Sequence, residues 1–181
     1  MRALFVTHAF PRNADDIAGG FILRLAAALR GVGVDVSVLA PSGPGLAARD
    51  EFDGVPVERF RYAPASWETL AYEGTMAEQV SRSWRGKMAL AGMLSAGSRA
   101  VSRAVAGFRP DVVHAHWWFP SGVECMLAAS ARPLVLTFHG SDVRLAASTS
   151  MAPAALRAVM RRTAAATAVS GWLARDRKSV V

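Results

Sequence analysis

The chain has 181 residues, of which 52% are apolar and 19% are charged, so it is too apolar for a disordered protein and long enough to bury a core. Its single cysteine, Cys125, excludes an internal disulfide and a cysteine-built zinc site, and it favours a reducing cytoplasm. The net charge of +7 favours a polyanionic partner, but there is neither zinc-finger spacing nor an RNP-like aromatic strand, so we expect no nucleic acid.

The sequence lacks the patterns of a membrane span and of a secretory signal. Apolar runs without charge stay below the roughly 20 residues that a spanning helix needs. The apolar stretch before His8 is too short for the core of a signal peptide, and no cleavage pattern follows it. We therefore expect a cytoplasmic protein that is soluble or bound peripherally at the inner membrane face.

Short apolar runs alternate with helical periodicity through the first half of the chain. The strand "RALFVTH", the helix "FILRLAAALRGVG" and the strand "DVSVLAP" form a βαβ unit. A loop rich in glycine and proline, from Pro41 to Gly54, leads to a third strand, "VPVERFRYAP". A long helical region then covers about Trp67 to Phe108.

The second half continues the alternation. The strands "DVVHAHW" and "PLVLTFHG" enclose a short helical piece from about Ser121 to Ala131. A helix around Ala154 to Ala165, a short strand "ATAVS" and the start of a helix at "GWLARDRK" follow. Because no hairpin turn is evident, the pattern predicts a doubly wound, Rossmann-like α/β fold with a parallel sheet. Such sheets bind ligands beyond the carboxyl ends of their strands.

Gly19 and Gly20 directly precede the first helix. Glycines at this position allow the backbone to approach an anion, which the free N–H groups and the positive end of the helix attract. A flexible loop before the helix is the structural alternative. The dinucleotide fingerprint G-x-G-x-x-G is absent, since the glycines are adjacent and the loop before them is long.

The strand end "DVVHAHWW" carries two histidines and two tryptophans. Alternation places His114 and His116 on one face, about 6 to 7 Å apart. A zinc pair would need a further ligand from His8, His139 or Cys125, and we expect no metal. We interpret His114 as an interior histidine and His116, at the strand mouth, as a partly buried ligand contact. The next two residues either cover the sheet edge or stack on sugar rings; they are Trp117 and Trp118.

The strand end "LTFHGSDV" supplies a second group of polar residues. Ser141 or Asp142 would suit the N-cap of the next helix, and Gly140 a tight turn. That structural account leaves His139 unexplained.

Angular positions along the long helix predict a basic face. Arg82, Arg85, Arg99 and Arg103 fall on one side, and Leu90, Leu94, Val101, Val105 and Phe108 fall on the other. The basic face is either simply solvated or in contact with anionic lipid headgroups.

Together these segments resemble the N-terminal domain of glycosyltransferase family 4, a family of retaining enzymes with the GT-B architecture. The matching segments are, in order, "HAFPRNADDIAGG", "DVVHAHWWFPSG", "LTFHGSDV" and "ATAVSGWLA", and they span nearly the whole chain. The resemblance implies one half of an enzyme that moves a sugar from a nucleotide-sugar donor to a carbohydrate or lipid-linked acceptor. It implies neither a metal nor another cofactor.

The resemblance also implies roles for particular residues. Gly19 and Gly20 match the glycine loop that approaches the donor diphosphate. His116 matches the second histidine of an H-x-H strand end beside the donor sugar, which makes it the candidate catalytic residue. His139 and Asp142 match the loop on the acceptor side, where the two tryptophans are further candidates for acceptor contact.

One feature of the family is missing from this sequence. The second domain of the family carries two glutamates eight positions apart, and no two glutamates have that spacing here. We therefore expect residues 1–181 to form a single N-terminal domain, the donor-binding C-terminal domain to lie outside this chain, and the isolated chain to be inactive. The alternative is a non-catalytic module that binds a sugar or an anion.

Overall fold

The computed structural model describes residues 1–13, 15–73, 75–128, 131–146 and 151–171. Over these ranges the chain forms a seven-stranded sheet in the order β3-β4-β2-β1-β5-β6-β7. The strands are β1 (Arg2–Val6), β2 (Asp35–Pro41), β3 (Arg49–Phe52), β4 (Val55–Phe60), β5 (Val112–His116), β6 (Leu134–Phe138) and β7 (Thr163–Ala168).

Helices in the described ranges cover both faces of this sheet. They are α1 (Gly20–Gly31), α2 (Met76–Arg82), α3 (Trp84–Phe108), α4 (Val123–Leu127), α5 (Ser141–Ala146) and α6 (Ala152–Arg162). Short helical turns at Ala65–Trp67 and Trp118–Gly122 precede α2 and α4. None of the described helices is both long enough and apolar enough to cross a bilayer.

The sheet confirms the prediction of a doubly wound α/β fold. All strand pairs from β4 through to β7 are parallel. The strand order reverses between β1 and β5, since β2 and β4 extend the sheet on one side and β6 and β7 on the other. The crevice at this reversal is the expected ligand position in such folds.

The prediction that the sheet has no hairpin is wrong at one edge. β3 pairs antiparallel with β4, with Phe52 opposite Val55, and the two-residue turn between them is Asp53-Gly54. Both turn residues have positive φ, 50° and 72°, as a type I′ hairpin turn requires. Because β3 is mostly exposed and polar, the sequence pattern does not distinguish its residues from the predicted loop from Pro41 to Gly54.

The long helical region is interrupted at Ser83. This residue has extended backbone angles, φ −152° and ψ 152°, and its side chain accepts a hydrogen bond from the Gly86 N–H as the N-cap of α3. Arg82 therefore ends α2 and does not share a helix with Arg85 and the arginines that follow, contrary to the prediction of one continuous basic face.

The last elements begin earlier than predicted. α6 starts at Ala152 instead of Ala154, and β7 covers Thr163–Ala168 instead of residues 166–170. The alanine-rich sequence does not mark the boundary, since alanine fits a helix better than a strand. The helix expected at "GWLARDRK" lies, apart from Gly171, outside the described residues.

The core has one layer on each face of the sheet. Phe5 and Ile22 are fully buried in the layer beneath α1. α3 crosses the other face, where Met93 is fully buried. Gly97 lets this helix approach α4 closely, because a β-carbon at Gly97 would collide with the carboxyl group of Glu124.

Candidate functional site

The carboxyl ends of β1, β5 and β6 meet next to the strand-order reversal. His8 lies two residues after β1, His116 ends β5, and His139 directly follows β6. These three histidines therefore lie at the same edge of the sheet. Neutral or charged imidazoles at such an edge can hold a ligand by hydrogen bonds.

All four histidines of the chain belong to one group, here called the histidine cluster: His8, His114, His116 and His139. The rings of His114 and His116 stack with centroids 4.3 Å apart. His116 Nδ1 lies 3.1 Å from His139 Nε2, at hydrogen-bond distance. Trp117 links His8 to the others, since its ring centroid lies 4.4 Å from that of His8 and 4.2 Å from that of His139.

His116 is more deeply buried than predicted. It is 1% exposed, so the expectation of a partly buried side chain is wrong. The rings of Phe5 and His139 pack against it at centroid distances of 4.9 and 5.3 Å, in addition to His114. His114, interpreted as the interior residue, is only half-buried, but its Nε2 does have a partner, Thr137 Oγ1 at 2.7 Å.

Two ring nitrogens of the cluster have no hydrogen-bond partner among the described residues. His116 Nε2 and His8 Nδ1 are buried and form no hydrogen bond in the described part of the chain. Leaving such a group unsatisfied costs about 1–3 kcal/mol, and native structures satisfy almost all of them with protein, water or ligand. These two atoms therefore mark the positions at which the cluster can hold a ligand.

Burial keeps the cluster uncharged at neutral pH. Desolvation lowers the pKa of His8, His114 and His139 to about 4, and for His8 and His139 the proximity of another histidine adds to the effect. Desolvation, together with His114 and His139, holds the pKa of His116 well below its usual range. The imidazoles therefore act as neutral hydrogen-bonding groups.

The sequence left open a metal pair formed by His114 and His116. Their rings stack with planes 24° apart instead of directing nitrogens at a common point. Across the described ranges, no group of three or more histidine, cysteine, aspartate or glutamate side chains is arranged to hold a metal ion.

The two tryptophans have different surroundings. Trp117 has φ 66°, rare for a bulky residue, and its Nε1 donates to Ser141 Oγ at 3.1 Å. Trp118 is 2% exposed, and its Nε1 donates to the backbone oxygen of Asp142 at 2.7 Å. The ring of Trp118 has no face open to a sugar, which does not fit the expected stacking, and only Trp117 borders the histidine cluster.

Asp142 holds the end of β6 against the end of β5. Its Oδ1 accepts hydrogen bonds from the N–H groups of His139 and Gly140 at 3.1 and 3.0 Å, and its Oδ2 accepts from the N–H of Trp118 at 3.4 Å. Burial raises the pKa of this carboxyl group, which is 2% exposed. Asp142 thus positions His139, and its carboxylate oxygens are already engaged by the backbone.

The two glycines before α1 have different structural constraints. Gly19 has φ 72°, and a β-carbon there would lie 2.6 Å from Ala9 O and 2.7 Å from Phe10 Cα, so only glycine fits. A β-carbon at Gly20 would meet only Arg24 Nη1, 3.6 Å away. Gly19 is thus explained by backbone packing, while the space in front of Gly20 is bordered by a cation.

Sequence reasoning missed two residues of α1 that border the site. Arg24 is exposed and forms no ion pair within the described ranges. Phe21 is 41% exposed, and its ring centroid lies 5.0 Å from that of His139. Helical spacing could have found Arg24, since a residue four positions after Gly20 shares its helix face.

Buried and paired arginines anchor the loop between β1 and α1. Arg59, 4% exposed, donates to Pro11 O at 2.6 Å and to Tyr72 Oη at 2.8 Å. Arg12 Nε donates to Asp16 Oδ2 at 2.6 Å, and this hydrogen bond lowers the pKa of Asp16 to about 2. The loop that carries Gly19 is therefore held in place before any ligand arrives.

The structure is that of a Rossmann-like α/β domain with a polar cluster at the crevice where the strand order reverses. The chain belongs to glycosyltransferase family 4, whose family model matches residues 18–179. Its fold is the N-terminal half of the GT-B architecture, as the sequence predicts. A comparison with curated proteins found no match.

Solved structures with this fold are distant in sequence. The sucrose-phosphate synthase of Thermosynechococcus elongatus has a TM-score of 0.68 and 16% identity, covering 99% of this chain and 45% of that chain. Another structure of this synthase has a TM-score of 0.56 and 13% identity, covering 99% and 95%. The Streptomyces sp. SF2575 glycosyltransferase SsfS6 in complex with thymidine diphosphate has a TM-score of 0.47 and 18% identity, covering 88% and 43%. This chain spans less than half of the first structure, and these likenesses concern the fold alone.

Proposed function

We propose that this chain is the N-terminal half of a retaining glycosyltransferase that moves a hexose from a nucleotide sugar to a carbohydrate or lipid-linked acceptor. The observation that carries the proposal is that His116 Nε2, at the strand-order reversal of a family 4 domain, is buried and has no hydrogen-bond partner among residues that the structure describes. The donor-binding half would be a second domain outside residues 1–181.

The donor diphosphate would lie before α1. The start of this helix carries a partial positive charge, and Arg24 adds a full one beside Gly20. These groups would stabilise the negative charge that develops on the leaving diphosphate. With cations from the second domain, they leave no requirement for a metal or organic cofactor.

The sugar and the acceptor would meet the histidine cluster. His116 would orient the donor sugar through Nε2, while His139 holds Nδ1 of the same ring. His116 need not act as a general base, because the leaving phosphate can take the proton of the acceptor hydroxyl in a front-face displacement. His139 and Trp117 would border the acceptor, with Asp142 positioning His139.

A panel of nucleotide sugars tests this function. The full-length protein should transfer one hexose, with retention at the anomeric carbon, to an acceptor identified by mass spectrometry. The 181-residue chain alone should show negligible turnover, because most donor contacts would belong to the other domain. If the full-length protein binds donors or sugars but never transfers, the alternative of a non-catalytic binding module is correct.

Arg24→Gln should weaken donor binding in the full-length protein by about tenfold, since a charge-assisted contact to phosphate is lost. Arg30→Gln is the matched control, because Arg30 lies at the other end of α1 and pairs with Asp35 at 2.9 Å. The Michaelis constant for the donor measures the effect. Equal constants for the two variants would contradict a donor role for Arg24.

We also propose contact with an anionic membrane at the start of α3. Trp84 and Met88 are 63% and 57% exposed, and the Arg85 guanidinium lies 5.9 Å from the centroid of the Trp84 ring. Exposed apolar side chains flanked by cations suit the interface of an anionic bilayer. Arg99 adds to the exposed positive charge further along the helix.

Vesicle binding tests this contact. The protein should bind phosphatidylglycerol-containing vesicles and dissociate as salt rises, because exposed charges are screened over about 10 Å at 0.1 M ionic strength. Trp84→Ser should weaken binding, whereas Val32→Ser, at an exposed apolar residue after α1, should not. Equal binding to phosphatidylcholine vesicles would contradict the proposal.

A further inference from the structure

A second cleft lies on the face of the sheet covered by α3. Its volume is about 370 Å³, within the range of small-molecule sites. The last turns of α3 line one side, and strands β1 to β4 line the other. α3 ends near the amino edge of the sheet, where the Asp111 N–H donates to Arg2 O, so the cleft lies away from the histidine cluster.

The register of the sheet places the polar lining of this cleft side by side. Leu4 pairs with Ser37 on the neighbouring strand. Leu39 pairs with Glu58, which is in turn opposite Arg49. Because paired residues point to the same face, one hydroxyl, one carboxylate and one guanidinium border the cleft from three adjacent strands.

Small residues on α3 leave the space open. Ala104 and Gly107 are three positions apart and line the cleft together. Apart from the backbone of the helix itself, no described atom lies within 4 Å of the position of a β-carbon at Gly107. Arg103 and Phe108 flank these two residues, so a second guanidinium and an aromatic ring also line the cleft.

The polar side chains of the cleft are not engaged by other side chains in the part of the protein that the structure describes. Within the described ranges, four of them form no side-chain hydrogen bond or ion pair: Ser37, Arg49, Glu58 and Arg103. Side chains that border a cleft and are free of internal partners are available to a ligand.

We propose that this cleft binds a small phosphorylated polyol of the size of a sugar phosphate. Two guanidinium groups outnumber one carboxylate, so the lining attracts an anion, and guanidinium groups bind phosphate oxygens in pairs of hydrogen bonds. The Glu58 carboxylate only accepts hydrogen bonds and therefore selects hydroxyl donors. The half-buried ring of Phe108 provides apolar contact for the carbon skeleton. The proposal does not depend on the function proposed for the histidine cluster.

Calorimetric titration of the purified protein tests the site with glucose 6-phosphate, inorganic phosphate and glucose. Glucose 6-phosphate should bind more tightly than either of the other two. Arg103→Gln and Arg49→Gln should each raise its Kd by about tenfold or more. Arg99→Gln is the matched control, since Arg99 is an exposed arginine one turn earlier on α3 that does not line the cleft.

Two further variants separate the parts of the site. Glu58→Gln should reduce the preference for glucose 6-phosphate over inorganic phosphate. Gly107→Leu should abolish binding of both by filling the cleft, with the charges unchanged.

The proposal is overturned if glucose 6-phosphate does not bind, if it binds no more tightly than glucose, or if Arg99→Gln weakens it as much as Arg103→Gln. It is also overturned if His116→Ala removes the binding while Arg103→Gln leaves it intact, because the phosphate would then lie at the histidine cluster.

Discussion

His116→Ala should lower the turnover of the full-length protein by about 30-fold to several-hundred-fold per folded molecule. The variant removes Nε2, a buried nitrogen that has no partner within the described ranges and that we expect to hydrogen-bond the donor sugar. A hydrogen bond that strengthens in the transition state contributes roughly 2–4 kcal/mol. Because His116 is buried, the variant should also lose about a kcal/mol or more of stability, so turnover has to be normalised to the folded fraction.

His114→Ala is the control on the same face of β5. Its Nε2 already lies 2.7 Å from Thr137 Oγ1, so the loss should act through stability and leave turnover per folded molecule close to normal. Melting temperature and turnover, measured on both variants, separate the two effects. Near-normal turnover of folded His116→Ala, or an inactive but folded His114→Ala, would show that the catalytic assignment is wrong.

Glu124→Gln should stabilise the protein at about pH 8 by a few kcal/mol. It should also remove the fall in the free energy of unfolding that the wild type shows between neutrality and about pH 8. Glu124 is 2% exposed, its Oε1 has no partner in the described structure, and burial raises its pKa to about 8. The pKa in the unfolded chain is about 4.5, so the folded state binds more protons between these two values. Stability therefore falls as pH rises through this window, by up to about 1.4 kcal/mol per pH unit.

The histidine cluster has the opposite effect at lower pH. The folded pKa values of His8, His114 and His139 are about 4, and burial also holds the pKa of His116 well below its usual range. The unfolded state therefore binds more protons than the folded state below the usual histidine pKa of about 6.5, and stability falls as pH decreases. Wild-type stability should therefore peak at about pH 6.5. In Glu124→Gln the fall in stability between this peak and about pH 8 should disappear, and the rise in stability on the acid side should become steeper.

Urea unfolding across this pH range provides the measurement. Glu51→Gln, at an exposed glutamate of β3, is the control and should follow the wild-type curve. If the free energy of unfolding of Glu124→Gln depends on pH in the same way as that of the wild type above neutrality, the Glu124 carboxyl group is not protonated in the folded protein and the prediction is wrong.

Alternation of strand and helix was enough to predict the fold and the edge of the sheet that carries the site. Both depend on backbone periodicity, which is visible in apolar runs such as "DVVHAHW". The edge strand β3 was missed because its exposed residues have no apolar face, although Asp53-Gly54 is a hairpin signal.

Side-chain environments at the site were harder to predict. Position along β5 suggested that His116 is the more accessible histidine, but the rings of Phe5 and His139, which come from other strands and loops, bury it. The indole of Trp118 enters the core for a similar reason, since its partner Asp142 is 24 residues away. Contacts between distant segments have no signature in the local sequence, so burial could not be predicted from strand position alone.

The carboxylate of Asp142, which accepts hydrogen bonds from both strand-end loops, also has a consequence for preorganisation. It couples the backbone after β6 to the backbone after β5, so His139 cannot shift without disturbing the segment that follows His116. The conformational entropy lost in aligning the imidazoles of His116 and His139 is therefore lost during folding and not during ligand binding. A ligand that reaches His116 Nε2 meets a ring whose orientation is already fixed, so little of its binding energy is lost in ordering that ring.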